Sequence, residues 1–352
     1  MTHCKPIRLF ACLLLLPASI VHAQAPAETN EVIRETGRGQ FDFSSEDIRE
    51  LSGITYLGED LFAVVSDKGG KLGMASIKID SKTGEMIGAE LSQTLDLEGG
   101  KDLEDLALDP NARRLITVDE ANQSIVYHDL LTGKRLEAIV VPDVFKQARS
   151  NLGFESVCVS CDGGLWAANE EPLKHDGPRA TKDEGALIRL QRFNADAKPG
   201  GQYAYCVDPH RGKDNLLKRA QSGVSGLVAL PSGQLIVMER ELGGPAIPTF
   251  RIRLYLVDTA GATDTSKLKS LSKHDIEPVD KKLLYEFNAG LANFEGITLG
   301  PRLDDGDYTL ILVSDSGDGK RNPQNLLSLR VAGSLVDSKP HKPDEALTPT
   351  TK

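Results

Sequence analysis

Beyond its first twenty or so residues the 352-residue chain has no apolar run approaching the roughly 20 residues that a bilayer-spanning helix needs. Positive charge is also in short supply: 41 Lys and Arg face 51 Asp and Glu, for a formal net charge of −10. An acidic surface disfavours nucleic acid and anionic membranes and is compatible with binding cations. An anionic substrate would then need a local cationic patch or a bound metal. Of seven histidines, His3 and His22 lie in the leader and the other five are scattered, which argues against a His-rich metal site. No Gly-x-Ser-x-Gly elbow occurs, because Gly223-Val-Ser-Gly226 breaks the spacing; P-loop, Gly-x-Gly-x-x-Gly and His-Glu-x-x-His motifs are missing too. These absences exclude the chemistries that those motifs carry.

Cysteine is sparse, and the leader removes some of it. Lys5 and Arg8 precede an apolar stretch from Leu9 to Ile20, and Val21-His22-Ala23 puts small residues at −3 and −1, so cleavage is expected before Gln24. Leu9-Phe10-Ala11-Cys12 faintly resembles a lipoprotein box but lies before the apolar stretch rather than after it. Residues 1–23 read as a signal peptide and the mature chain as secreted or periplasmic, with its net charge moving from −10 to −12 as the two cations leave. Cys158, Cys161 and Cys206 remain. In an oxidising compartment three cysteines suggest one disulfide, joining Cys206 to Cys158 or Cys161, and one free thiol. A zinc site of Cys158, Cys161, Cys206 and His210 is disfavoured by the exported context and by the lack of a second Cys-x-x-Cys.

What is present is a repeat. Five segments share a small or acidic pair, an apolar strand, a turn and a second strand with a polar end. They are Leu51-Ser-Gly-Ile54 leading to Leu61–Asp67, Leu103-Glu-Asp-Leu106 to Leu115–Glu120, Phe154-Glu-Ser-Val157 to Leu165–Glu170, Val224-Ser-Gly-Leu227 to Leu235–Arg240, and Phe294-Glu-Gly-Ile297 to Leu310–Asp315. Hairpin turns are expected at Asp109-Pro110-Asn111, Cys161–Gly164, Pro231-Ser232-Gly233 and Asp304-Asp305-Gly306. Further strand-like runs follow each pair, giving the three to four strands of a propeller blade. The expected fold is an all-β, single-domain β-propeller of five or six blades over residues 37–332, with a flexible segment at 24–36 and a disordered tail at 333–352. Polar insertions at about 174–184, 209–222 and 261–282 are rim loops or conceal a degenerate sixth blade. Asp143–Arg149 and Lys213–Ala220 are the best short helix candidates, and Trp166 and Tyr255 read as blade-packing aromatics.

These repeats resemble the phytase-like domain family, also called esterase-like activity of phytase. The resemblance is carried by Leu51–Ile54, Leu103–Leu106, Gly153-Phe-Glu-Ser156, Leu235–Arg240 with Arg251–Tyr255, and Asn293–Ile297 with Val313-Ser-Asp315. It implies a propeller-type fold with repeated Glu and Asp suspected of phosphoester chemistry. Where similar proteins often show Asp-Asn after the last strand, this chain has Asp315-Ser316-Gly317-Asp318-Gly319.

Glu104, Glu155 and Glu295 hold one matched position, where the other two repeats carry Ser52 and Ser225. Matched positions in a closed propeller face one axis, so these glutamates are the candidate catalytic residues. Gathered carboxylates repel unless a cation or protons intervene, and Ca²⁺ suits an oxygen-rich site. The candidate metal ligands are Glu104, Glu155, Glu170, Glu239, Glu295 and Asp315; Asp67, Asp119 and Glu120 belong to the same strand-end set. Alternation along strands lets only some of them point inward. Arg240 and Lys68 are the candidate substrate cations, beside Lys101, Arg251, Lys320 and Arg321. Arg240 reads equally well as an ion-pair partner of Glu239, Glu241 or a neighbouring blade. The function this suggests is an exported metal-assisted hydrolase of small phosphoesters. A Ca²⁺-dependent lactonase or esterase propeller and a non-enzymatic envelope binding propeller are the alternatives.

Overall fold

The computed structural model describes residues 32–41, 48–109, 113–149, 153–213, 220–244, 249–315 and 324–338. The leader, the Asp109–Asn111 turn beyond Asp109, most of the Lys213–Ala220 helix candidate, the residues following Asp315, Lys320, Arg321 and the end of the tail lie outside them.

Twenty strands form five four-stranded antiparallel sheets. A first strand, β1 (Ile33–Phe41), stands apart in sequence from its sheet. The first blade is β2 (Leu51–Gly58), β3 (Leu61–Ser66), β4 (Lys71–Ile79) and β5 (Met86–Asp96). The second is β6 (Leu103–Asp109), β7 (Arg114–Asp119), β8 (Ser124–Asp129) and β9 (Arg135–Ile139). The third is β10 (Phe154–Val159), β11 (Leu165–Asn169), β12 (Ala186–Phe193) and β13 (Pro199–Val207). The fourth is β14 (Gln221–Ala229), β15 (Leu235–Gly243), β16 (Thr249–Asp258) and β17 (Asp280–Gly290). The fifth is β18 (Asn293–Arg302), β19 (Tyr308–Asp315) and β20 (Gln324–Val331), completed by β1, which pairs with β20 from Ile33↔Val331 to Phe41↔Gln324. The ring is therefore a five-bladed β-propeller closed by joining the two ends of the chain. No sixth sheet occurs among the described residues.

The second strands carry continuous apolar runs such as Phe62–Val65 and Leu310–Val313, buried on both faces, and the blades stack through them. Five buried clusters result, one at each junction between blades. Ile252 and Phe294 meet between blades four and five, Phe62 and Ile311 between five and one, and Val65 and Leu106 between one and two. Trp166 and Tyr255 lie in the junction between blades three and four. The first strand of each blade is innermost, and β2, β6, β10, β14 and β18 pack in turn around the axis.

In their described residues the insertions lie outside the five sheets except where they run into β14 and β17. The backbone of residues 264–279 covers the outer edge of blade three: Thr265 N donates to Gln202 O at 2.7 Å and Val279 N to Ala204 O at 2.9 Å. Arg189, fully buried, holds this cover by pairing with Asp176 at 2.6 Å, and the Asp176 carboxylate also accepts Leu271 N at 2.9 Å. Covering an edge removes unpaired backbone groups that would otherwise template aggregation.

Three boundary expectations change. β1 begins at Ile33, inside the segment read as flexible. Gly333–Val336 forms a helical turn with Val336 buried, where the tail was read as disordered. The Asp143–Arg149 helix is a single 3-10 turn, Asp143–Gln147, packing Phe145 on Phe154. No helix among the described residues is long and apolar enough to cross a membrane.

Candidate active site at one mouth of the axial channel

The repeated acids owe their position to a backbone feature. Each innermost strand has a register shift at the same place: Leu51/Gly53, Leu103/Asp105, Phe154/Ser156, Val224/Gly226 and Phe294/Gly296. The residue stepped over in each is Ser52, Glu104, Glu155, Ser225 or Glu295. A β-bulge leaves its extra residue out of the ladder and re-aims its side chain. Five bulges in register thus present two serines and three glutamates around one mouth of the channel. One residue on, Gly53, Gly226 and Gly296 let the strands close together: a Cβ on Gly296 would lie 3.0 Å from the Gly53 backbone. Asp105 takes the same place in blade two, accepting Val157 N of blade three at 3.0 Å.

Arg240 occupies the centre of this mouth. It extends from β15 opposite Gly223, where a Cβ would approach Glu170 Cγ to 2.8 Å, so glycine leaves room for that glutamate. Arg240 Nη2 donates to Glu170 Oε1 at 2.6 Å and stands 3.6 Å from Glu155 Oε1. Its Nη1 donates to Glu295 Oε1 and, at 3.0 Å, to Asn293 Oδ1. Asn293 Nδ2 in turn donates to Glu295 at 2.8 Å and to Asp315 at 3.4 Å. The guanidinium therefore joins blades three, four and five. Glu155, Glu170, Glu295 and Asp315 come together as the repeat required, with Arg240 as their counterion.

Glu104 escapes this pairing. Its carboxylate makes no hydrogen bond or salt bridge among the described residues and feels only other carboxylates, and that of Asp102, likewise unbonded there, feels the more distant charge of Lys68. With Glu120 they form a compact group whose ligand oxygens all lie within 4.8 Å of one another. Glu120 is anchored by the Gly153 amide, which donates to Oε1 at 2.6 Å. Asp102 was not among the residues expected from the sequence. Its one signal is the spacing Asp102-Leu103-Glu104, which sets two acids two apart on either side of a fully buried leucine.

Burial and mutual repulsion raise the proton affinity of these acids. Burial pushes Glu104 and Glu155 well above the usual carboxylate range, with neighbouring carboxylates adding to it. Burial lifts Glu295 up to about 8 despite Arg240. Glu120 rises to about 7 through burial, against the Gly153 hydrogen bond. Asp67 also rises to about 7 through burial, although Lys68 lies 3.1 Å from its Oδ2; its Oδ1 is buried with no hydrogen-bond partner among the described residues.

Beside the carboxylate group opens a cavity of about 310 Å³. Its lining includes Asp102, Glu120 and Gln123 together with Lys146, Arg149 and Lys174. Arg149 is held by Pro172 O and Gly177 O, both at 3.0 Å. Lys146 pairs with Asp143 at 2.6 Å. The opposite mouth of the channel is an apolar hollow of about 350 Å³ between residues such as Ile54, Leu106, Val157, Leu227 and Ile297. It carries no carboxylate or cation among its lining side chains.

Three expected roles are corrected. Glu239 does not join the acids at the mouth: adjacent residues on a strand face opposite ways, so as Arg240 points to the axis Glu239 faces the junction with blade three. There it accepts Tyr205 OH at 2.7 Å and Lys281 Nζ at 2.7 Å and is fully buried. Arg251 is likewise committed to Glu286 at 3.0 Å. The cysteines are all free thiols. Cys158 is on the innermost strand and Cys206 on the outermost strand of the same blade, with β11 and β12 between them. Three strand spacings of about 4.8 Å put them roughly 14 Å apart, twice the reach of a disulfide. Cys161 is exposed in the β10–β11 turn, its thiol directed to Pro231 O at 3.6 Å. The same separation disposes of a shared zinc site.

A five-bladed propeller with a charged, oxygen-rich axial mouth defines the class. The chain belongs to the phytase-like family, described as esterase-like activity of phytase, whose sequence model matches residues 46–317. The comparison with curated proteins gave no match. Among solved structures, the chain is similar to the PQQ-bound aldose sugar dehydrogenase of Streptomyces coelicolor at 14% identity and TM-score 0.41, covering 86% of this chain and 97% of that one. It is similar to a luciferin-regenerating enzyme at 10% identity and TM-score 0.38, over 80% and 91%. A streptogramin B lyase aligns at 11% identity and TM-score 0.35, over 86% and 100%.

The chemistry of the donors decides which kind of cation the described residues could hold. Three carboxylates with hard oxygen donors, two of them without a hydrogen bond or salt bridge among the described residues, fit Ca²⁺ or Mg²⁺ and not a soft metal. The fit holds for Asp102, Glu104 and Glu120, whereas Glu155, Glu170 and Glu295 already share a guanidinium.

Proposed function

We propose that this chain is an exported, calcium-assisted hydrolase of small phosphoesters. The observation that carries the reading is the juxtaposition of three carboxylates, Asp102, Glu104 and Glu120, that make no salt bridge among the described residues, with a cavity whose lining also holds Lys146, Arg149 and Lys174. A neutral carboxylic ester or lactone would leave those cations without a role.

Asp102, Glu104 and Glu120 would hold the ion. Bound there, Ca²⁺ would withdraw charge from the phosphoryl oxygens and order a water beside them. Arg149 and Lys174, in the lining of the same cavity, would orient the anion. Asp67, on the adjoining blade, carries an unpartnered Oδ1 and lies near 7, which suits a group that accepts a proton from the attacking water. As the new P–O bond forms the ester P–O bond breaks, and the alcohol leaves with a proton from solvent. The leader sequence supports export.

The test is hydrolysis of p-nitrophenyl phosphate, bis-p-nitrophenyl phosphate and p-nitrophenyl acetate, with calcium and with chelator. Chelator-sensitive release from a phosphate ester is expected. Turnover of the acetate alone would establish the esterase reading, and no turnover with retained calcium binding a binding role.

A further inference from the structure

We propose that a second cavity, which shares only Arg149 with the one beside the carboxylate group, is a binding site for a small free α-amino acid. Glu170 turns to Arg240 at the axis, whereas Glu171, one residue on, lines a cavity of about 440 Å³ together with Arg149 and Arg179. That volume lies in the range of small-molecule sites. Pro178, Ala180 and Ala220 add small apolar walls.

The polar groups of this cavity have capacity of both kinds left over. Glu171 is 1% exposed, and its Oε2 is buried. Arg179 Nε lies against that oxygen as an ion pair but off the line of its N–H, so Oε2 accepts no hydrogen bond among the described residues. A buried acceptor without a donor is costly until a ligand supplies one. Donors are spare beside it. Arg149 gives Nε to Pro172 O and Nη2 to Gly177 O, both at 3.0 Å, which leaves Nη1 without a hydrogen bond among the described residues. The two terminal nitrogens of Arg179 make none there either. A ligand that satisfies both sets carries a cationic N–H donor for Glu171 and an oxyanion for the guanidiniums. Because Arg179 touches Glu171, the two charges of that ligand must lie close together, as they do in an α-amino acid. The apolar walls then suit an aliphatic side chain.

Calorimetry in the presence of chelator keeps the acid group free of metal and so tests this site whether or not the hydrolase reading holds. At about pH 8 Glu171, which burial lifts to about 7, is mostly ionised. The probes are L-valine and its two fragments: isobutylamine, which lacks the carboxylate, and 3-methylbutanoate, which lacks the ammonium. The wild-type protein should bind L-valine, and each fragment roughly tenfold or more weaker, the loss of one charge-assisted contact. Arg179→Gln, at a half-exposed side chain, should weaken L-valine by a similar factor. Lys174→Gln, which lines only the first cavity, should not. Glu171→Gln should abolish the preference for L-valine over 3-methylbutanoate. The proposal is overturned if either fragment binds as tightly as L-valine, if L-valine does not bind at millimolar concentration, or if Arg179→Gln binds it as wild type does. Should Glu171→Gln fail to fold, the fragments and Arg179→Gln decide the matter.

Discussion

Glu239 and Arg240 adjoin in sequence and diverge completely in environment. Glu239 lies in the ion network of Tyr205, Lys281 and Arg253, whereas Arg240 binds acids of the two neighbouring blades. Glu239→Gln should leave calcium affinity unchanged while lowering stability by about 3–5 kcal/mol, the usual cost of breaking a buried pair, as read by chemical denaturation. Glu104→Gln should do the reverse. Calcium affinity should fall by more than the ~10–100-fold that disturbing a ligand's surroundings alone produces, and the melting temperature without metal should hold or rise. Period-two alternation was readable in the chain, so one of the pair had to face away from the axis. Which one did was not, because the inward face is fixed by the blade's register on its neighbours. The cysteines were opaque for a similar reason: Cys158 and Cys206 are separated by two strands, an order that spacing along the chain does not encode. Thiol titration of the denatured, unreduced chain after cleavage before Gln24 should find three thiols.

The bulge is the element on which the site depends. The repeat itself was plain in the sequence, as were most hairpin turns and the matched glutamates. The bulge was not, since an unpaired residue differs from a paired one only in what stands opposite. Its cost is close approach of the inner strands, met by glycine. A Cβ on Gly53 would sit 2.7 Å from Asp105 Cα, a backbone atom of the next blade that can yield only by moving its strand. Gly53→Ala should therefore destabilise by about 1–3 kcal/mol. Because the displaced strand also bears Glu104, calcium affinity should drop in parallel, a coupling that calorimetry and thermal melts on one sample would expose. Asp102 escaped notice because it precedes its strand and belongs to no repeat position.

At the scale of the molecule, the pooled acids make stability depend on pH in an uncommon direction. Burial raises Glu295 to about 8 and Glu120 and Asp67 to about 7, so the folded chain holds protons that the unfolded chain gives up near ordinary carboxylate values. Where the folded state binds more protons, stability falls as pH rises. Without divalent cations, the contribution of these groups should be complete below about pH 4.5, decline up to about pH 8 and level off beyond it, while carboxylates held low by hydrogen bonds, such as Asp162 and Asp208, lose their contribution in acid below about pH 4. Saturating calcium should flatten that decline by substituting for the protons. Denaturation midpoints across this range, with and without calcium, would check it; a metal-free profile that rises from pH 5 to 8 would contradict the assignment.

The closure of the ring also determines how it would respond to force. β1 and β20 are antiparallel, and Ile33 lies opposite Val331, so both ends of the chain leave the fifth blade from the same corner. A pull on the two ends loads their ladder one rung at a time, as in opening a zip, instead of shearing all rungs together. The propeller should yield at low tension, losing β1 first. With the outermost strand gone, the last blade keeps three strands and an open edge along β20. In a single-molecule pulling trace this would appear as a short early extension, the released length of β1, ahead of the main rupture.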